Sequence, residues 1–216
     1  MIPKVYINPG HSDKDPGAVG YETERKLNVK VAEFMNRHML EHYNVQTRIT
    51  SGAVNSTGKV VEEANAWNAD LLVSIHFNAG GGDGYEALVY GTKRKNLGEI
   101  FEKHVKHIGQ NSRGVKYRPN LVVLRSSNMP AILNEGAFVD NKADIGDWKT
   151  DAQLQKLGVA YAEAAAEYLG LTPKTTDRVL YRVQVGAYSN ITGAQAMQKK
   201  LATAGFSGVI VKEEAT

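Results

Sequence analysis

The chain of 216 residues contains no cysteine. That absence excludes disulfides and thiolate zinc sites, so any metal must be held by histidine and carboxylate. No stretch approaches the roughly 20 apolar residues that cross a bilayer, and membrane insertion is not expected. Blocks of Lys and Arg interleaved with aromatics are missing, and a formal net charge of +3 is too small to signal nucleic-acid binding. The opening, MIPKVYIN, reads as a strand, without the basic region, apolar core and small-residue cleavage site of an export signal, so none is expected. There is no long internal repeat and no low-complexity tract.

What is present suits one full domain with a real core and a small appendage, since 42% of the residues are apolar. The most informative stretch is LLVSIHFNAG, residues 71–80. Leu71, Leu72 and Val73, followed by Ser74 and Ile75, read as a buried strand of a parallel sheet. It delivers His76 at its C-terminal end, then Asn78 and a glycine-rich loop, and such strand ends are where open α/β sheets keep their chemistry. VYINPGH repeats the arrangement with His11, and PAILNEG repeats it with Glu135.

Elsewhere the pattern predicts strands at Lys4–Asn8 and Val45–Ile49, and a half-exposed strand in GYEALVY, residues 84–90. NLVVLRSSNMP reads as a strand running into a loop, Ala131–Asn134 as the last buried strand, and residues 111–119 as loop. Helices are expected from Thr23 or Glu24, over Thr57–Asn68, around Leu97–Ile108 and over Asp151–Leu169. The main domain thus spans 1–170, and LTPKTTDR, residues 171–178, is a polar linker. Residues 179–216 form one small unit: a strand at Val179–Val185, a helix from Ile191 to Ala204, a stop at Gly205 and a strand at Gly208–Val211. A lone βαβ of this size buries too little apolar surface to stand alone, so it must pack on the main domain or on a second copy.

On the first helix Leu27, Val31, Phe34 and Met35 share one stripe, and Glu24 falls on it. A carboxylate facing the core must be paired, hydrogen-bonded or bound to a cation. His11, Glu24 and His76 suit a catalytic zinc, because three protein ligands leave a fourth position for water. Glu135 would take the proton of that water and hand it to a leaving amine. Each residue has a plainer role open to it: His11 bonding a turn, His76 satisfied at a strand end, Glu24 facing the positive end of its helix, Glu135 anchoring a turn. Taken jointly the four weigh against those roles, although no HExxH helix declares the geometry. His38 and His42 stand four apart on the first helix, but His38 lies about 21 Å along the axis from Glu24 and cannot share its site. His104 reads as a core or edge histidine, His107 as a surface one, and the AGGGDG loop as a flexible rim.

NPGHSDKDPGAVG, ERKLNVKVA, ANAWNADLLVSIHFNA and PAILNEGAFVDN succeed one another as the signatures of a known family do. Over about residues 3 to 170 the chain resembles the zinc-dependent N-acetylmuramoyl-L-alanine amidases of the amidase 3 family. The resemblance implies one zinc ion (Zn2+) per chain on His11, Glu24 and His76, with Glu135 as the catalytic glutamate. It implies a peptidoglycan substrate, cut between the muramic acid lactyl group and L-alanine, and an α/β fold with a twisted, mainly parallel sheet and helices on both faces. Ser12 departs from a common glycine, and Asn134 from a common aliphatic residue, so Asn134 is expected to alter hydrogen bonding near Glu135. Asn78 and Arg125 are candidate substrate-binding residues, Arg125 as the partner of a substrate carboxylate or else as half of a surface ion pair. The tail from Tyr181 onward is similar to part of a SPOR domain, a family that binds peptidoglycan glycan strands. Two tails, residues 179–216 of a homodimer, would rebuild the sheet that one lacks. The expected setting is a phage endolysin released through a holin, or an autolysin acting on mother-cell lysis. A catalytically silent wall-binding protein and a zinc carboxypeptidase are the competing readings.

Overall fold

The apolar runs become six strands and the amphipathic segments between them become helices, in a computed structural model that describes residues 1–174 and 183–212. In chain order they are β1 (Lys4–Pro9), α1 (Glu24–His42), β2 (Gln46–Ile49), α2 (Thr57–Ala66), β3 (Leu71–Asn78), β4 (Tyr85–Val89) and α3 (Lys95–His107). There follow β5 (Ser112–Tyr117), α4 (Val122–Arg125), β6 (Ala131–Phe138), α5 (Lys142–Asp147), α6 (Asp151–Leu169) and α7 (Ile191–Thr203). The chain divides into two units, Met1–Lys174 and Thr175–Thr216.

In the first unit the strands form one sheet in the order β2-β1-β3-β6-β4-β5. β2, β1, β3 and β6 run parallel, joined by helical crossovers that cover the sheet, while β4 is antiparallel to β6 and parallel to β5. One face carries Val5, Ile7, Leu71, Val73 and Ile75 against α1, α3 and α6. The other carries Tyr6, Leu72 and Leu133 against α2 and α4. Each fully buried Leu or Ile contributes on the order of 2 kcal/mol, so both layers hold the sheet edge that bears the site. α6 is closed at its start by a capping box between Thr150 and Gln153 and at its end by Gly170 in the left-handed conformation.

Several expectations are corrected. The strand in GYEALVY is buried along its whole length, because β4 lies between β6 and β5 with both faces covered. Residues 112–117, read as loop, form the edge strand β5; its polar residues face solvent on a sheet edge, which hides the strand pattern. The β-branched run before Arg125 is a single helical turn, α4, packed on α2, where tertiary contact outweighs strand propensity. In the second unit α7 forms as expected, capped by Asn190, whose side chain accepts from the Gly193 amide at 2.9 Å. Residues 179–182 of the expected first strand lie outside the described residues. Neither residues 183–185 nor the expected strand at 208–211 is strand, since a lone extended segment finds no ladder partner among the described residues.

Candidate metal centre

β1 ends at Pro9, and the turn at Gly10 lays His11 beside the end of β3, with the Gly10 amide donating to the Ile75 carbonyl at 2.9 Å. A Cβ on Gly10 would stand 2.2 Å from the His76 ring, so this close approach requires glycine. The first turns of α1 hold the segment from the other side: Arg25 donates to the Pro9 carbonyl at 2.8 Å and Asn28 to the Gly10 carbonyl at 3.2 Å. His11 itself has φ of 66°, a conformation uncommon for a non-glycine residue.

Glu24, the first residue of α1, is only 4% exposed. Its Oε2 lies 3.0 Å from His11 Nε2 and its Oε1 2.8 Å from His76 Nδ1. The amides of Ala18 and Phe77 donate to the same carboxylate at 2.9 and 3.3 Å. Burial opposes charge on Glu24, but the bonds from His11 and His76 outweigh it and hold the carboxyl well below the usual range. The bond to Glu24 in turn pushes His11 up to about 9. The buried carboxylate therefore demands positive charge at this spot, as histidine protons or as a cation. One ligand atom from each of His11, Glu24 and His76 lies within 4.8 Å of the others, and this nitrogen and oxygen donor set fits zinc. Asp15 Oδ2 lies 2.8 Å from His11 Nδ1, which leaves Nε2 to face the centre. Asp15 went unnoticed in the sequence, though its place four residues after His11 in a turn was a usable signal.

Glu135 is the Cα partner of His76 across the β3–β6 ladder, so the two side chains leave the same face one strand spacing apart, about 4.8 Å. Its Oε2 is buried and has no hydrogen-bond partner among the described residues. Burial, with Glu24 and Glu86 nearby, pushes the Glu135 carboxyl up to about 8. Asn134 points to the opposite face: its Oδ1 accepts from the Tyr85 hydroxyl at 2.7 Å and its Nδ2 donates to the Ser74 carbonyl at 3.3 Å. The expectation that Asn134 bonds near the Glu135 carboxylate is thus corrected, because successive strand residues alternate faces.

Asn78 is half-buried at the end of β3, where its Oδ1 accepts from the Ala79 amide at 2.8 Å. Arg125 is exposed at the end of α4. The next residue, Ser126, accepts from Asn65 in the last turn of α2 at 3.2 Å, and the Pro130 carbonyl accepts from Leu72 near the start of β3. That segment lies toward the edge where β3 and β6 begin, and the structure does not bring Arg125 to the His11, Glu24 and His76 group.

Residues 5–167 match the family described as N-acetylmuramoyl-L-alanine amidase. The chain belongs to this amidase family. It is accordingly an enzyme acting on peptidoglycan, and the general zinc dependence of the family agrees with the donor set. Residues 149–213 match the SPOR domain, and the first part of that match is α6, whose apolar face is buried in the first unit. The sporulation-specific N-acetylmuramoyl-L-alanine amidase of Bacillus subtilis (strain 168) is 30% identical, over 98% of this chain and 85% of its own. The endolysin of Bacillus phage SPP1 is 33% identical, over 81% of this chain and 69% of its own. The catalytic domain of CwlV, an amidase from Bacillus (Paenibacillus) polymyxa var. colistinus, shares the fold with a TM-score of 0.74 at 24% identity, covering 79% of this chain and 100% of that one.

Proposed function

We propose that His11, Glu24 and His76 hold one zinc ion and that Glu135 serves as general base and then general acid in hydrolysis of the amide between N-acetylmuramic acid and L-alanine. When bound, the zinc would supply a Lewis acid that polarises the scissile carbonyl and eases deprotonation of water. Glu135 takes the proton of the attacking water as oxygen bonds to the carbonyl carbon. It returns that proton to the L-alanine nitrogen as the C–N bond breaks, leaving a carboxylic acid and a free amine. Burial that raises the Glu135 carboxyl, with Oε2 lacking a hydrogen-bond partner among the described residues, favours its holding the proton between the two steps. Asp15 orients His11, and the Ala18 and Phe77 amides hold Glu24 in place.

The convergence of the three donor atoms, with Glu135 in register beside His76, is the observation that supports this reading most. The tail, by its SPOR match, supplies affinity for the wall, and a homodimer through residues 179–216 completes what one tail lacks. Relatives named as a sporulation amidase and a phage endolysin favour action on the wall when the enclosing cell is lysed. The test is metal analysis together with turbidity loss of purified walls. About one zinc per chain and lysis abolished in Glu135→Ala with zinc retained are expected; unchanged lysis by that variant would overturn the assignment. Release of free amino acids in place of intact stem peptides would point to a carboxypeptidase.

A further inference from the structure

The row of side chains that holds His76 and Glu135 continues across two more strands. Glu86 on β4 is the antiparallel partner of Glu135, and at 8% exposure its carboxylate needs a counter-charge. Arg113 on β5 supplies one, its Nε donating to Glu86 Oε1 at 2.7 Å. The ladder explains how it gets there. Between the pairs Tyr85 with Ser112 and Ala87 with Val115, the single residue Glu86 is opposed by Arg113 and Gly114, a bulge with Gly114 at φ of 85°. Bulges re-aim side chains, and this one turns Arg113 toward Glu86 and over the Phe138 ring, 5.3 Å from its centroid. Neither Nη atom of Arg113 has a hydrogen-bond partner among the described residues, and the side chain is 44% exposed. An arginine fixed through Nε, with its Nη donors open, is built to take a second oxyanion.

We propose that Arg113, held by Glu86, binds a free carboxylate on the second residue of the stem peptide, so that the enzyme prefers stems in which this group is not amidated. The inference rests on the reading that the scissile amide lies at Glu135. Adjacent strands are about 4.8 Å apart, so a guanidinium drawn onto Glu86 stands one to two strand spacings, about 5–10 Å, from the Glu135 row. An extended residue spans about 3.5 Å, which puts a carboxylate on the residue after L-alanine about 7 Å from the bond to be cut. The two ranges agree. Glu86 and Glu135 alone would repel such a group, and the open edge of Arg113 supplies the attraction that admits it. This is the role the sequence suggested for Arg125, which lies toward the other edge of the sheet.

The test uses the zinc-loaded full chain and two muramoyl peptides that differ only in a carboxylate or a carboxamide on the second residue. KM and kcat are measured for the wild type, Arg113→Ala and Arg113→Gln, with thermal melting to confirm folding. Arg113→Gln can keep the hydrogen bond to Glu86 while removing the charge, so it replaces Arg113→Ala if that variant does not fold. The wild type should show at least a tenfold lower KM for the carboxylate peptide. In either variant the preference should collapse to within about twofold, through KM more than kcat. A folded variant that keeps the wild-type preference, or a wild type with none, overturns the proposal. Binding of both peptides by Glu135→Gln, with and without Arg113→Gln, reads the same preference without turnover. A wild type that binds selectively but cleaves neither peptide would sink the reading of Glu135 and leave that of Arg113 standing.

Discussion

His76 and Glu135 face each other across the parallel ladder of β3 and β6. Side chains of such a pair leave the same face of the sheet about 4.8 Å apart, so one hydrogen-bonded register sets a histidine of the proposed centre beside the carboxylate that serves it. Just beyond, the ladder slips between His76 and Asn78, and there the Phe77 amide donates to Glu24. The sheet thereby presents His76 and Glu135, and the start of α1 brings Glu24 to them.

Asp15 should matter to the metal and little to the fold. Its side chain is 62% exposed, and its described bonds are to the His11 ring and to the Gly17 amide. Asp15→Ala is expected to weaken zinc binding about 10- to 100-fold, as losses of such outer partners do. Competition with a chromophoric chelator measures this, and unaltered affinity would remove Asp15 from the centre.

Gly10→Ala is a steric probe of the same centre. The new Cβ would come within 2.2 Å of the His76 ring, so the ring or the turn must move. Zinc content and activity should both fall by at least tenfold. Gly58→Ala in the first turn of α2, where a Cβ meets nothing within 4 Å, should keep both and gain about 0.5–1 kcal/mol. Urea melts with metal analysis compare the two.

Glu135 should leave a mark on the pH dependence of stability in the metal-free protein. Its carboxyl is raised from 4.5 to about 8, so between those values the folded chain holds a proton that the unfolded chain has released. Stability from this group is then full below about pH 4.5 and declines as pH rises through 8. Glu135→Gln lacks that titration, so its advantage over the wild type should grow from pH 5 to pH 8 in urea melts. A constant difference would argue that Glu135 is ionised throughout.

The tail should separate wall affinity from chemistry. Val183, Val185, Phe206, Val209 and Val211 are exposed in the second unit, as expected of a surface that needs a partner. A chain ending at Lys174 keeps α6 and the whole sheet. It should cleave soluble muramoyl peptides at wild-type rate, bind sedimented walls less, and scatter light as a monomer where the full chain scatters as a dimer. A monomeric full chain would remove the proposed dimer.

The misreadings share a cause. β5 was hidden because an edge strand with a glycine bulge carries polar residues and no alternation, and α4 because a Val-Val-Leu run is equally apt for strand and helix until it meets α2. Arg113 carried no signal of its own in the sequence, because only strand pairing shows that it lies beside Glu86.

Local pattern alone was enough to place His76 near the end of a buried strand and His11 just past one, and to mark Glu24 as an inward carboxylate, because periodicity and burial cost are properties of neighbouring residues; the strand expected to stop at Asn134 instead runs through Glu135 to Phe138. Which strand lies beside which was beyond it. Register between distant segments decided that the donor atoms of His11, Glu24 and His76 converge within 4.8 Å, that Glu135 stands next to His76, and that the bulge at Gly114 turns Arg113 onto Glu86. Those relations arise from hydrogen-bonded pairing and packing across the whole chain, which no short stretch of residues encodes.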